Sequence, residues 1–402
     1  MAPDKYPLEP LFGRILSPFE RFLRSTAAGG ILLIVATAVA LALGATLGDA
    51  ALHDFWDQTA GFDFEDQPIL HLTLHHWVND GLMALFFLLV GLEIKREVLI
   101  GELASLRDAA LPVFGALGGM VAPAAIYAAL NVGTPTASGW GIPMATDIAF
   151  AVGILVLLTW RVPRNLIVFL TALAIADDLG AVLVIAVFYT ASLDMKALGA
   201  VAGILAALAL LNRGGVRHLL PYSLLGLLLW YAMLRSGIHA TVAGILLAFS
   251  IPARPSEGSD QSPLQVLEHR LSPYIATFVV PVFALANAGI DLGAIEWSSA
   301  LSRRETLGIV LGLAIGKFAG ISLLCWLAVR TGMARLPAGV EWRHLLGASW
   351  LAGIGFTMSL FIAQLAFTDP RMVDSAKLGI LLASAISATA GLVWLVASAR
   401  KP

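Results

Sequence analysis

The chain has 402 residues, of which 58% are hydrophobic and 13% charged, and its mean hydropathy is +0.85. Soluble globular chains carry about 25% charged residues, so the composition indicates a membrane protein. The net charge of −2 offers no attraction to nucleic acid, and the lone Cys325 excludes an intrachain disulfide and a thiol-rich metal site.

In residues 1–24, Leu11, Phe12, Ile15, Leu16, Phe19, Phe22 and Leu23 recur at helical spacing among Arg14, Glu20, Arg21 and Arg24. That pattern predicts an amphipathic helix lying on a membrane surface, with no cleavage site of a signal peptide after it. A membrane-spanning helix needs about 20 mostly apolar residues. Twelve candidates follow, at 25–48, 77–95, 108–130, 138–158, 165–189, 195–212, 219–235, 238–251, 273–290, 305–328, 343–367 and 374–398, the eighth being short. Residues 25–398 thus read as one all-α transmembrane domain.

If the N-terminus is cytoplasmic, the outer segments hold only Lys196, Arg235, Arg303, Arg304, Arg371 and Lys377 of the 25 Lys and Arg residues. Lys317 lies within a span, and the rest fall inside. That asymmetry supports twelve spans with both termini cytoplasmic. The first outer loop holds Asp49, Asp54, Asp57, Asp63, Glu65 and Asp66 but no Lys or Arg. At its end, 68–77, Leu70, Leu72 and Leu74 alternate with His71, Thr73 and His75, which predicts a strand in a hairpin. Its exposed edge could pair with a second copy of the chain or be covered by a loop.

Four ionisable residues fall near span centres: Asp147, Asp177, Asp178 and Lys317. Each Asp costs roughly 3 kcal/mol at mid-membrane on insertion scales, so two adjacent ones imply a use, namely holding a cation or a proton. Neighbours on a helix point about 100° apart. One of Asp177 and Asp178 can therefore face a neighbouring helix, where Lys317 could meet it, while the other lines a water-filled path. Sodium and lithium are hard cations that take oxygen ligands. A carboxylate also takes protons, so the two compete for one site, and a site facing each side in turn exchanges one for the other.

The fourth span is interrupted at Gly139-Trp-Gly-Ile-Pro143-Met-Ala-Thr146-Asp147 and the eleventh at Ala352-Gly353-Ile-Gly355-Phe-Thr357. Pro143 removes a helix hydrogen bond, and Gly353 and Gly355 loosen the backbone. Each break lies in the middle member of a trio, spans 3–5 and 10–12, and the trios run in opposite directions. This is the pattern of an inverted repeat whose broken helices cross at a binding site, a pattern that the family named below itself exemplifies. Asp147 can offset the positive half-helix ends and Lys317 the negative ones. Thr146 is either a helix-end hydrogen-bonding group or a ligand.

Six motifs run in order from the second span to the eleventh: Val90-Gly-Leu-Glu-Ile-Lys-Arg-Glu97, Ala145-Thr-Asp-Ile-Ala-Phe150, Ala176-Asp-Asp-Leu-Gly180, Ser236-Gly-Ile-His-Ala-Thr241, Phe283-Ala-Leu-Ala-Asn-Ala-Gly289 and Gly353-Ile-Gly-Phe-Thr-Met-Ser359. Together they closely resemble the bacterial NhaA-type sodium/proton antiporters. The resemblance implies twelve helices, with a core of spans 3–5 and 10–12 bearing the crossed, interrupted helices and the remaining spans forming a panel and interface. It implies electrogenic exchange of cytoplasmic sodium or lithium for external protons in a bacterial inner membrane, without a cofactor. Asp178 would be the accessible carboxylate and Asp177 the partner of Lys317, with Asp147 and Thr146 at the crossing. The hairpin would form a homodimer. The charged residues that set the family's alkaline activation near the cytoplasmic mouth match Glu93, Arg96, Glu97, His239 and Glu268. Gln265 and Val266 stand where basic residues are common, and Phe318 where a proline is common.

Rival readings fit less well. An intramembrane aspartyl protease needs its two aspartates on separate helices in Tyr-Asp and Gly-x-Gly-Asp contexts, and this chain has neither. A sodium-coupled symporter of an organic solute would share the fold, but Lys317 would be surplus to it. A passive channel fits poorly with two carboxylates and a lysine at one depth.

Overall fold

The computed structural model describes residues 26–398 except 65–66, 191–192, 256–259, 292 and 294–296. The surface helix expected over 1–24 lies outside the described residues, as do Glu65 and Asp66. Helix α1 (Thr26–Trp56) bends at Gly48, whose φ of 77° only glycine adopts without strain. Strands β1 (Thr59–Phe64) and β2 (Gln67–Thr73) then pair antiparallel from Thr59↔Thr73 to Phe64↔Gln67, with an irregularity at Phe62/Asp63. The strand ends at Thr73 rather than running on to residue 77. The Thr73 hydroxyl accepts the His76 N–H at 3.1 Å and so caps a helical turn, Leu74–His76.

After the π-helical turn Trp77–Leu82 come α2 (Met83–Ile100), α3 (Leu106–Asn131), a 3₁₀ segment Pro135–Met144 and α4 (Ile148–Leu157). Next are α5 (Arg164–Phe188), α6 (Met195–Arg213), α7 (Leu219–Ser236) and α8 (Val242–Ser250). Helix α9 (Pro263–Tyr274) continues through a π turn, Ile275–Val279, into α10 (Val280–Asn287). Helix α11 (Arg304–Val310) continues likewise through Leu311–Gly316 into α12 (Lys317–Arg330). The chain closes with α13 (Trp342–Leu351), α14 (Phe356–Ala366) and α15 (Pro370–Ser398). Helix α9 starts at Pro263, well before the apolar stretch expected from 273, because Ser262 and Gln265 form a reciprocal capping box.

Among the described residues, nine helical segments are long and apolar enough to cross a membrane, and the pair α13–α14, bent by 44°, makes a tenth. Two expected spans miss that standard for physical reasons. Helix α2 carries Glu93, Lys95, Arg96 and Glu97 within its length. Helix α8 has nine residues, a rise of about 14 Å, against a hydrocarbon core of about 30 Å.

The main core gathers residues of α3, α4, α5 and α10 through α15, among them Leu173, Phe283, Ile309, Ile321, Leu345 and Phe361. A second cluster joins α2 to α6, α7 and α8. Many large apolar side chains remain exposed, such as Leu183, Val187, Leu220 and Leu227. That is the surface expected of helices whose solvent is lipid. Helices α3 and α12 cross with their backbones touching: a Cβ on either Gly118 or Gly320 would fall 2.1 Å from the other's carbonyl oxygen. This contact sets where the start of α12, Lys317, stands relative to α5.

Candidate functional site

The two interrupted spans meet at their breaks. The first half of the fourth span is a ten-residue 3₁₀ helix, not a broken α-helix. Pro135 and Pro143 lack N–H groups, and Gly139 and Gly141 carry no side chain to resist the tighter winding. Tyr189 at the end of α5 staples this segment, donating its hydroxyl to Ser138 O at 2.8 Å and accepting the Gly141 N–H at 3.3 Å. Ala145 to Asp147 run extended before α4 starts. In the other span, Ala352 to Gly355 separate α13 from α14.

Main chain joins the two breaks directly, the Asp147 N–H donating to Ile354 O at 2.7 Å. Ser359 adds a bond from its hydroxyl to Ile142 O at 2.8 Å. Gly355 has φ −90°, ψ −24°, so these glycines are not needed for an unusual backbone angle. They are needed for room: a Cβ on Gly353 would lie 2.6 Å from Leu313 O, and one on Gly355 2.8 Å from a Leu313 methyl. Pro143 packs in the same way against Gly312, whose added Cβ would be 2.7 Å from it. The π turn Leu311–Gly316 therefore touches both breaks and delivers Lys317 one residue later.

Asp147 caps both half-helices that begin at the crossing. Its Oδ1 accepts the Phe150 N–H at 3.1 Å, at the start of α4. Its Oδ2 accepts the Thr357 N–H at 3.1 Å and the Thr357 hydroxyl at 2.5 Å, at the start of α14. One carboxylate thus meets two positive helix ends. Thr146 works at the opposite polarity: it donates to Ala352 O at 2.8 Å, the end of α13, and accepts from Lys317 Nζ at 2.5 Å. The positive charge of Lys317 reaches the negative helix end through that hydroxyl. Thr146 thus bonds the end of α13 in this structure.

Lys317 Nζ also lies 2.5 Å from Asp177 Oδ2, both side chains being wholly buried. Asp178, turned away from its neighbour by the helix, is 1% exposed. Neither of its oxygens has a partner among the described residues, and Asp177 Oδ1 also has none. Its neighbour Asp177, and Glu93, Asp147 and Lys317, lie close enough for their charges to act on Asp178. In this structure both Asp178 oxygens are out of reach of solvent.

Four of the five candidate pH-responsive residues draw near one another at the C-terminal end of α2. Arg96 Nε donates to both oxygens of Glu268 on α9, at 3.0 and 3.1 Å, and its Nη1 lies 2.6 Å from Glu97. Glu93 is close enough for its charge to act on Arg96. His239 does not belong with them. It sits between α7 and α8, its Nδ1 3.6 Å from Asp80 before the start of α2. Asp80 precedes Arg96 by sixteen residues, about 24 Å at about 1.5 Å each, so His239 meets the far end of the helix from Arg96. The reason is topological: α7 ends at the hairpin end of α2.

Ser359, Ser384, Tyr189 and the π turn before Lys317 received no role from sequence. Ser359 stood inside a recognised motif, but a serine in an apolar run carries no sign of its partner. Phe318 stacks on Trp350 with ring centroids 4.4 Å apart.

Residues 20–395 match the family model described as Na+/H+ antiporter 1. The chain is 56% identical to the Na+/H+ antiporter NhaA of Acidithiobacillus ferrooxidans, over 96% of this chain and 99% of that one. It is 53% identical to the NhaA of Syntrophobacter fumaroxidans, over 98% and 93%. Against the NhaA of Salmonella paratyphi A it is 49% identical, over 95% and 99%.

Proposed function

Because the chain belongs to the Na+/H+ antiporter 1 family, it exchanges sodium ions for protons across a membrane that it crosses many times, and we propose that cation and proton compete for Asp178. The observation that carries this reading is the burial of Asp178 at 1% exposure with neither oxygen partnered among the described residues. An ionised carboxylate left so in a low-dielectric interior is costly by several kcal/mol. Either a proton or a hard cation removes that cost, and each excludes the other. Exchange follows if the loaded group faces the two sides in turn. The symporter reading draws no support from relatives named for exchange with protons, and these are transporters rather than enzymes.

The rest of the site assists this competition. Asp147 adds negative charge nearby while holding the starts of α4 and α14. Lithium, also a hard cation with oxygen preference, is a second substrate. Electrogenic exchange needs a second proton-carrying group, and the Lys317–Asp177 pair stands beside Asp178 to supply it. The cluster of Glu93, Arg96, Glu97 and Glu268 makes the exchange respond to pH.

The architecture that goes with this function has twelve passes, α2 and α8 supplying the two that length and composition alone do not mark. Both termini are cytoplasmic, in a bacterial inner membrane, and the trios 3–5 and 10–12 are inverted repeats. The β1–β2 hairpin joins two copies in a dimer.

Asp178→Asn tests the central claim. In everted vesicles with a pH-sensitive dye, it abolishes sodium-dependent proton release. Exchange retained at the unmutated rate would overturn the assignment.

A further inference from the structure

Helix α15 carries two serines one turn apart, Ser384 and Ser387, on the face turned to the break between α13 and α14. Both are buried, at 7% and 0% exposure. Ser384 Oγ accepts the Phe356 N–H at 3.2 Å. Ser387 Oγ lies 2.5 Å from where a Cβ on Gly353 would be, and it has no partner among the described residues.

Phe356 and Thr357 are the first two residues of α14, and their N–H groups have no carbonyl partner within the helix. Ser384 takes the first and Asp147 the second. The start of α14 is thus held from two sides, by a neutral hydroxyl on α15 and by the carboxylate at the crossing. We propose that Ser384 is a positioning residue for the transport site. By occupying the Phe356 N–H, it leaves the Asp147 carboxylate to divide its bonds between Thr357 and Phe150. The proposal rests on the reading that Asp147 belongs to that site.

Without the hydroxyl, a buried N–H loses its acceptor, a state that native structures avoid. The acceptor nearest in the bonding pattern is Asp147, already bonded to the adjacent N–H. The helix end turns toward it, and Asp147 is drawn from Phe150 and from the crossing. Negative charge at the cation site is then misplaced, although no group that touches the cation has been changed.

The test measures sodium-dependent exchange for Ser384→Ala, Ser384→Thr, Ser387→Ala and Asp147→Asn, each with its pH profile and its melting temperature in detergent. Ser384→Ala raises the apparent KM for sodium about tenfold, the size of one displaced hydrogen bond, and keeps the maximal rate within about twofold. Ser384→Thr, which keeps the hydroxyl, restores the KM. Ser387→Ala leaves it unchanged, since that hydroxyl has no partner among the described residues. If Asp147→Asn raises the KM while Ser384→Ala has an unaltered KM and pH profile, Ser384 is only a packing residue and the proposal fails. It fails also if folded Ser384→Thr is as impaired as the alanine variant. If Asp147→Asn itself leaves the KM unchanged, the reading of the site fails, and with it the proposal. Should Ser384→Ala not accumulate, Ser384→Cys replaces it, with a weaker acceptor and an intermediate KM expected.

Discussion

Lys317→Met removes the cation buried at the crossing while keeping most of the side-chain volume. The lost contacts are those of Nζ with Asp177 Oδ2 and Thr146 Oγ1, both at 2.5 Å. Thr146 keeps its bond to Ala352 O, so its loss is small. Asp177 is left wholly buried with neither oxygen partnered among the described residues, since its Oδ1 had no such partner to begin with. Breaking a buried pair on one side costs about 3–5 kcal/mol. An unfolding entropy of about 2.1 cal/mol/K per residue over 402 residues is about 0.8 kcal/mol/K, so the melting temperature falls by about 4–6 °C. Helices that persist in the detergent-unfolded state lower that entropy and enlarge the shift, which makes about 4 °C a floor. Thermal unfolding in detergent, followed by tryptophan fluorescence, measures it. The double variant Lys317→Met/Asp177→Asn removes the stranded charge and recovers most of the loss. A melting temperature unchanged in Lys317→Met would refute the reasoning. So would a double variant no more stable than the single one.

Two further predictions concern the scaffold and the hairpin end. Gly320→Ala forces a Cβ to within 2.1 Å of Gly118 O, so α3 and α12 must part, and the protein loses about 1–3 kcal/mol. Gly203→Ala, with nothing within 4 Å of its added Cβ, is neutral or stabilising in the same thermal assay. Equal effects from the two would discredit the close crossing. His75, in the turn before the first π segment, is bonded to Asn287 Oδ1 at 3.1 Å, and burial holds its imidazole below the ordinary value of 6.5. The unfolded chain then binds more protons than the folded one just below that pH. Stability from His75 is complete above about 6.5 and declines as pH falls beneath it. A melting-temperature series from acid to neutral pH shows this slope in the unmutated chain and a flatter one in His75→Gln. Parallel curves would exclude His75 as the source.

The separation of Asp177 from Asp178 is legible in the sequence, because adjacent helical residues cannot share a direction. A buried lysine needs a carboxylate, and Lys317 did pair with Asp177. The broken spans were legible from Pro143, Gly353 and Gly355, although the reason for the glycines was not. A sequence shows that a residue lacks a side chain, not that Leu313 will stand against it. His239 was misplaced for a similar cause. Its charge and motif suggested company with Glu93 and Arg96, while the end of α2 that it meets depends on the path of α7 and α8.

Local chemistry belongs to the sequence: the apolar runs, the charged residues set within them, the positions where a helix cannot continue, and the alternation that makes β2. Each depends on a few neighbouring residues and on the medium around them. Tertiary structure alone decided which hydroxyl meets which N–H at the crossing, that the first half of the fourth span winds as a 3₁₀ helix, and that a π turn carries Lys317 to Thr146. It also left Asp178 buried without a partner among the described residues. Those outcomes depend on groups from helices hundreds of residues apart, positioned to within an ångström by contacts such as Gly118 on Gly320, and no local pattern encodes a distance of that kind.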